Sequence, residues 1–180
     1  MRNDRYEQSR SEKPMIKVKR ATAEKELAQA FAIRVRVFVK EQKVPREIEL
    51  DDDDRCAVHF LANVGRKAVG TARVVLSHGH AKIGRMAVLK SHRRKGVGTI
   101  LLKRAIVAAK RLRARRIYLH AQVAVIGFYQ RMGFRALGRV FDEAGIPHRK
   151  MVLGNSLSAK GKARQHRGYH IPLTRHDVFY

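Results

Sequence analysis

A strand that runs through a basic, glycine-bearing turn into a long helix is the feature that most restricts how this chain can fold. Ile83-Gly84-Arg85-Met86-Ala87-Val88-Leu89 has strand character, Arg93-Arg94-Lys95-Gly96-Val97-Gly98-Thr99 forms the turn, and Val97 to about Leu112 is expected as helix. Leu101, Ala105, Ala108 and Leu112 share one helix face, with Lys103, Lys110 and Arg111 away from it. Such a unit needs a sheet to lie on. The first amides of a helix have no internal partner, and together with the helix dipole they attract an anion. Gly96 and Gly98 let a phosphate approach the backbone, and Arg93, Arg94 and Lys95 add positive charge in the same turn. The Walker A pattern and the six-residue glycine fingerprint of a dinucleotide site are both absent.

The other segments extend this pattern. Met15 to Arg20 alternates apolar and basic residues and predicts a first strand. Thr22 is a candidate N-cap for a helix with Glu24 and Glu26 in its first turn and a stripe of Leu27, Phe31, Val35 and Phe38, flanked by Arg34 and Arg36. Pro45 ends that region, and 46–56 reads as an acidic loop. Residues 57–64 and 69–76 read as an antiparallel hairpin turning at Gly65. Ile117 to Val123 is a short buried strand, and Val125 to Met132 a helix stopped by Gly133. Phe134 to Phe141 and His148 to Leu153 are two final strands around the turn 142–147. This order predicts one mixed α/β domain with a central sheet of about six to seven strands and flanking helices. The expected organisation is a flexible arm at 1–14, the domain at 15–153 and a basic tail at 154–180.

Charge narrows the partners. The chain has 180 residues, 40 Lys+Arg and 15 Asp+Glu, a formal net charge of +25. Segments 1–20 and 154–180 each carry +4, and 90–116 holds eleven basic residues and no acidic one. A phosphate-rich partner fits such an excess, whether nucleic acid, an anionic membrane surface or a phosphorylated cofactor. With 44% hydrophobic residues the chain has the means to build a core. No apolar run approaches the ~20 residues of a membrane span, so no membrane partner is expected. One cysteine, Cys56, excludes an internal disulfide framework and a Cys-rich zinc site, which fits a reducing, cytoplasmic setting. It stands at the start of a predicted strand and reads as a small buried hydrophobe. The nine histidines show no ligand spacing with acids, so no metal is expected. The run Asp51 to Asp54 either attracts a cationic amine or caps a loop, the loop cap being the simpler reading.

A second segment, Gly127-Phe128-Tyr129-Gln130-Arg131-Met132-Gly133-Phe134, puts two adjacent aromatics on a short helix capped by glycine. Together, Arg93-x-x-Gly96-x-Gly98 and Phe128-Tyr129-x-x-x-Gly133-Phe134 resemble the pyrophosphate loop and second signature of the GNAT superfamily of acetyl-CoA-dependent N-acetyltransferases. The resemblance covers about 15–153. It looks closest to the small bacterial branch typified by ElaA- and YjcF-like acetyltransferases. The residues behind that match are Val37-Phe38-Val39-Lys40-Glu41-Gln42, Asp51 to Asp54 with His59, Arg85-Met86-Ala87-Val88, His120-Ala121-Gln122, and Phe141 to His148.

The resemblance implies an acyltransferase that moves an acetyl group from acetyl-CoA to a primary amine by direct attack, as a monomer or homodimer. The strand before the loop would splay from its neighbour and pair through Met86, Ala87 and Val88 with the pantetheine arm. Arg93, Arg94, Lys95, Gly96, Val97, Gly98 and Thr99 would hold the pyrophosphate, with Phe128 beside them. Gln122 stands where relatives carry Asn and would contact the cofactor. A strand amide would polarise the acetyl carbonyl. Tyr129 matches the tyrosine that protonates the departing thiolate, its reference pKa near 10 lying close to a thiol's ~8.5. Candidates for the base that takes the amine proton are His59, Glu41, Glu143 and His148. Two other readings compete. One is a GNAT-derived basic scaffold that binds RNA or a ribonucleoprotein through its basic face and tails, which carry Tyr169, Phe179 and Tyr180. The other is an acyl-homoserine-lactone synthase, which Glu47, Asp51, Asp54 and the Arg36–Phe38 region resemble, although the chain has no Trp.

Overall fold

A computed structural model describes residues 15–154; the arm expected at 1–14 and positions 155–180 of the tail lie outside the described residues. The sheet has seven strands: β1 (Ile16–Ala21), β2 (Val58–Val64), β3 (Lys67–Ser77), β4 (His80–Val88), β5 (Arg116–Gln122), β6 (Phe134–Glu143) and β7 (Ile146–Leu153). Their spatial order is β1-β2-β3-β4-β5-β7-β6. Every neighbouring pair is antiparallel except β4 and β5, which run parallel because a helix carries the chain between them.

Helices cover both faces. On one side lies α1 (Glu24–Arg34), which continues as a π-helix over Val35–Glu41, and then a short α2 (Arg46–Glu49). On the other lie α3 (Val97–Arg111) and α4 (Ile126–Arg131). Strand alternation divides the side chains between two cores. Ala72, Val74, Ala81, Ile83, Leu119 and Ala121 pack towards α3, whereas Leu61, Ala87 and Leu89 pack towards α1 with Ala30, Ile33 and Val37.

Several local expectations are corrected. Ala23, not Thr22, caps α1; the Glu26 carboxylate turns back to accept hydrogen bonds from the Thr22 and Ala23 amides at 3.0 and 3.3 Å. The segment 46–56 is α2 followed by a 3-10 turn over Asp52–Arg55, in which Asp51 and Asp54 form a reciprocal capping box. Leu112 lies past the end of α3 and is 39% exposed; Ala109, one turn after Ala105, completes the buried face instead. Arg34 does not flank the α1 stripe but is wholly buried. Cys56 is exposed, because the turn ends before β2 begins, and its thiol lies 3.5 Å from the Asp53 carbonyl. The final turn is tighter than expected: β6 and β7 meet at Ala144 and Gly145, both with positive φ (57° and 75°), the twist of a two-residue hairpin.

Candidate active site

The parallel pair β4–β5 opens a cleft in the sheet. It is in register only over His80↔Arg116, Ala81↔Ile117 and Lys82↔Tyr118. Beyond that point β5 keeps its antiparallel partner β7, and β4 keeps β3. The backbone of 83–88 therefore loses its β5 partner on one side. A bulge sharpens the break: Thr71 faces Ala87 and Arg73 faces Gly84, so Arg85 and Met86 together oppose Ala72, and Arg85 takes φ 48°. The result is a cleft of about 1740 Å³ that takes in the β4 residues 82–88, the loop at the start of α3, and the α4 aromatics.

At one end of this cleft stands the glycine turn. Arg94 (φ 60°) and Gly96 (φ 83°) are both left-handed, alternating with residues that are not, so the chain turns sharply into α3 here. The Ile100 amide donates to the Gly96 carbonyl at 3.1 Å, so the amides of 97–99 precede the helical hydrogen-bond ladder. Gly98 faces the opening between loop, strand and α4: a Cβ there would come into ordinary contact with Phe128 at 3.7 Å and Val88 at 4.0 Å, and a longer side chain would reach into that opening. Arg94, Gly96, Gly98, Thr99 and Phe128 line the cleft. Arg93 does so too, but its guanidinium is committed: it donates to the Val88 carbonyl at 2.9 Å and grips both oxygens of Glu41 at 2.5 and 2.8 Å. It ties the loop to the end of the π-helix rather than offering an unpaired charge. Lys95 is exposed and does not line the cleft, and the Val97 side chain is core, leaving only its backbone for an anion.

Further in, Tyr129 lies 9% exposed, its hydroxyl directed at the Met86 sulfur 3.8 Å away, and its ring edge-on to Phe128 and Phe134. Burial pushes its phenol up to about 12, so it remains a proton donor throughout the neutral range. Met86, Ala87 and Val88 line the cleft as well. Gln122 crosses it: its amide donates to the Gln42 side-chain oxygen at 2.9 Å, linking β5 to the end of the π-helix.

The four expected bases part company. Glu41 does not line this cleft; the Arg93 guanidinium clasping it holds its carboxyl below the usual range, which makes it a partner of Arg93 rather than a proton acceptor. His59 is 3% exposed and lies under α1, edge-on to Phe31, with its Nε2–H donated to the Asp54 carbonyl at 3.0 Å; it does not reach the cleft either. Glu143 and His148 do line it. Glu143 accepts a hydrogen bond from His120 Nδ1 at 3.1 Å, and His148 donates from Nδ1 to the Ile146 carbonyl at 2.7 Å.

The acidic run has a use that its residues alone did not disclose. Arg34 of α1 donates to Glu49 at 2.5 Å and to both oxygens of Asp54 at 2.7 and 3.0 Å. Arg73 of β3 holds Asp51 with both terminal nitrogens and Asp54 with one, at 2.7 Å. Arg85, the bulge residue, donates to Asp51 and to the Ile48 carbonyl, each at 2.8 Å. Three buried or half-buried guanidiniums thus neutralise three carboxylates and fasten the α2 segment to the bulge beside the cleft. Asp51 and Asp54 are thereby spent on arginines. The signal was present as charged residues embedded in apolar runs, Arg73 between Ala72 and Val74 and Arg34 between Ile33 and Val35, with matching acids at 49–54. Among the described residues there is no group of three His, Cys, Asp or Glu side chains placed to hold a metal ion, and no helix long and apolar enough to cross a membrane.

Comparison with known proteins agrees with this geometry. The model of the GNAT acetyltransferase family matches residues 25–134. The uncharacterized N-acetyltransferase YjcF of Bacillus subtilis (strain 168) is 41% identical over 133 residues, 73% of this chain and 95% of that protein. The crystal structure of Escherichia coli ElaA superposes with TM-score 0.70 and 27% identity over 78% of this chain and 100% of that one. An acyl-CoA N-acyltransferase from Pseudomonas aeruginosa gives TM-score 0.67 and 31% identity over 78% of this chain and 99% of that one. With its splayed β4–β5 pair, its left-handed glycine turn and these relatives, the chain belongs to the GNAT acetyltransferase family.

Proposed function

We propose that this protein transfers an acetyl group from acetyl-CoA to a primary amine by direct attack of the amine on the thioester. The observation that carries this reading is the cleft where β4 leaves β5, with anion-directed amides at one end and a buried tyrosine hydroxyl inside. The space beside Gly98, which a side chain would fill, fits a phosphorylated, elongated co-substrate. The amides of 94–99 hold its pyrophosphate. The backbone of Met86, Ala87 and Val88, free of β5, pairs with its amide-bearing arm, and an amide of that strand polarises the carbonyl. Tyr129 donates its proton to the leaving sulfur. Arg93 acts by anchoring the loop to Glu41 and Val88.

The test is calorimetric titration with acetyl-CoA, then a thiol-release screen over amines, polyamines, aminoacyl compounds and peptide N-termini. Saturable binding that weakens strongly in Gly98→Trp, together with CoA release dependent on one amine class, is the expected result. Absence of acetyl-CoA binding by the wild-type chain overturns the reading.

A second reading rests on the outer face of α3, where Lys103, Arg104, Lys110 and Arg111 are exposed and 90–116 holds no acid. Such a face attracts RNA by counterion release. Nucleic acid that copurifies at low salt and dissociates as salt rises supports it; a clean absorbance ratio at low salt counts against it.

A further inference from the structure

Three titratable side chains meet at the vertex of the cleft: Lys82, His120 and Glu143. Strand alternation places them there. Ala81 and Ile83 of β4, and Leu119 and Ala121 of β5, point into the α3-side core at 1% exposure or less. Lys82 and His120 therefore lie on the opposite face. Lys82↔Tyr118 is the last pair of the β4–β5 ladder, so both residues sit where the strands begin to part. Glu143 arrives from β6 as the last residue before the hairpin.

The hydrogen bond between His120 and Glu143 settles the tautomer. Burial would raise Glu143, but its bond to His120 and the nearby charge of Lys82 outweigh that and hold it below the ordinary carboxylate range. It is therefore ionised at neutral pH and can only accept. Nδ1 must carry the hydrogen, which leaves Nε2 as the basic nitrogen. The ring is braced edge-on by Phe141 at 4.9 Å and 77°, with Tyr118 tilted against it at 6.0 Å. The titratable and charged groups around it are Lys82 on β4, Lys150 and His148 on β7, and Glu143 on β6. Burial, with Lys82 and Lys150, outweighs Glu143 and holds the imidazole below its usual range, so it is unprotonated at pH 7. His148, the other cleft histidine, is backed by a neutral backbone carbonyl rather than a carboxylate.

We propose that His120 is the general base of the reaction and that Glu143 is its positioning residue, fixing the ring and its tautomer through Nδ1. The assignment rests on the acetyltransferase reading above. In the step it serves, the amine nitrogen forms the new bond to the acetyl carbon and the carbon–sulfur bond breaks. The amine proton passes to His120 Nε2, and the sulfur leaves with the Tyr129 proton. Glu143, expected from the sequence as a base in its own right, acts through His120 instead.

The experiment has two arms on the full chain. Long-range 15N–1H correlation of the histidine ring nitrogens, assigned with His120→Gln, is expected to show Nδ1 protonated and Nε2 bare in the neutral ring. A neutral ring carrying its hydrogen on Nε2 overturns the proposal without recourse to turnover. In the second arm, kcat/KM is measured from pH 5 to 10 with acetyl-CoA and spermidine, benzylamine and a peptide N-terminus as acceptor probes. His120→Gln is expected to lower kcat/KM by about 10² to 10⁴ at pH 7 and to abolish the acidic limb of the profile. Glu143→Gln moves that limb to lower pH, since the carboxylate that favours the imidazolium is gone; a purely structural role would leave the limb where it is. A limb that persists in His120→Gln and vanishes in His148→Gln overturns the assignment. Calorimetry on the same samples separates the two claims. Failure of the wild type to bind acetyl-CoA sinks the acetyltransferase reading, while binding and turnover with an unaltered His120→Gln profile sink only the base.

Discussion

Arg34, Arg73 and Arg85 show how much a single side chain can carry here. Arg34 is wholly inaccessible to solvent, yet every charge it brings is matched by Glu49 and Asp54. Removing one member of such a set leaves an uncompensated buried charge. Arg34→Ala is therefore expected to cost ~3–5 kcal/mol in urea unfolding, and a cost under 1 kcal/mol would refute the role. The acids make the same point through pH. Arg34 and Arg73 overcome burial to hold the Asp54 carboxyl at about 2, against an ordinary 3.8. A carboxyl depressed on folding contributes stability that is complete above its unfolded pKa and is lost as pH falls through the folded one. Stability should thus decline between about pH 4 and pH 2, and Asp54→Asn should flatten that decline in acid-titrated unfolding curves. Tyr129 is the residue-scale counterpart for chemistry. With its phenol at about 12, Tyr129→Phe is expected to lower kcat by about 10²-fold while acetyl-CoA affinity stays within a few-fold. An equal loss in binding would place its role in the ground state.

At the scale of elements, the unit formed by β4, the loop and α3 was legible in the sequence, and the reason is local. Strand periodicity, two glycines and an uninterrupted 15-residue helix each follow from neighbours along the chain. The packing of that unit is also local enough to test. A Cβ at Gly70 of β3 would stand 3.0 Å from Leu101, 3.1 Å from Val97 and 3.1 Å from the Ala87 carbonyl, so α3 and β4 close directly over it. Gly70→Ala is expected to destabilise by ~1–3 kcal/mol through overpacking, measured by thermal unfolding. Other elements were less legible. The segment 46–56 carries too few residues for a visible helical period, and its α2 and 3-10 turn are anchored by Arg34, Arg73 and Arg85, which donate to its carboxylates and carbonyls. Arg34 turns inward from α1 for the same reason, drawn to these carboxylates.

The whole molecule joins these parts across the sheet. Loop, bulge, α4 and the end of the π-helix come from distant stretches, and Gln122–Gln42 and Arg93–Glu41 tie the two sides together at |i−j| of 80 and 52. A co-substrate bound along the cleft would touch all of them and stabilise the molecule by mass action. Acetyl-CoA at about 100 times its Kd should add ~2.7 kcal/mol and raise Tm by roughly 10 °C, read by differential scanning fluorimetry. Gly98→Trp should erase that increment without changing the Tm of the free protein much. The sequence by itself determined the α/β class, the order of the strands and of α1, α3 and α4, the basic glycine turn at 93–99 and the aromatic pair at 128 and 129, because each is written in short-range periodicity and glycine placement. Only the tertiary structure decided which charges meet. It withdrew His59 under α1, closed Glu41 onto Arg93, set Asp51 and Asp54 against three arginines, and brought Glu143 to His120. Those outcomes depend on which strands become neighbours and which face each side chain takes, and no local pattern along the chain records that choice.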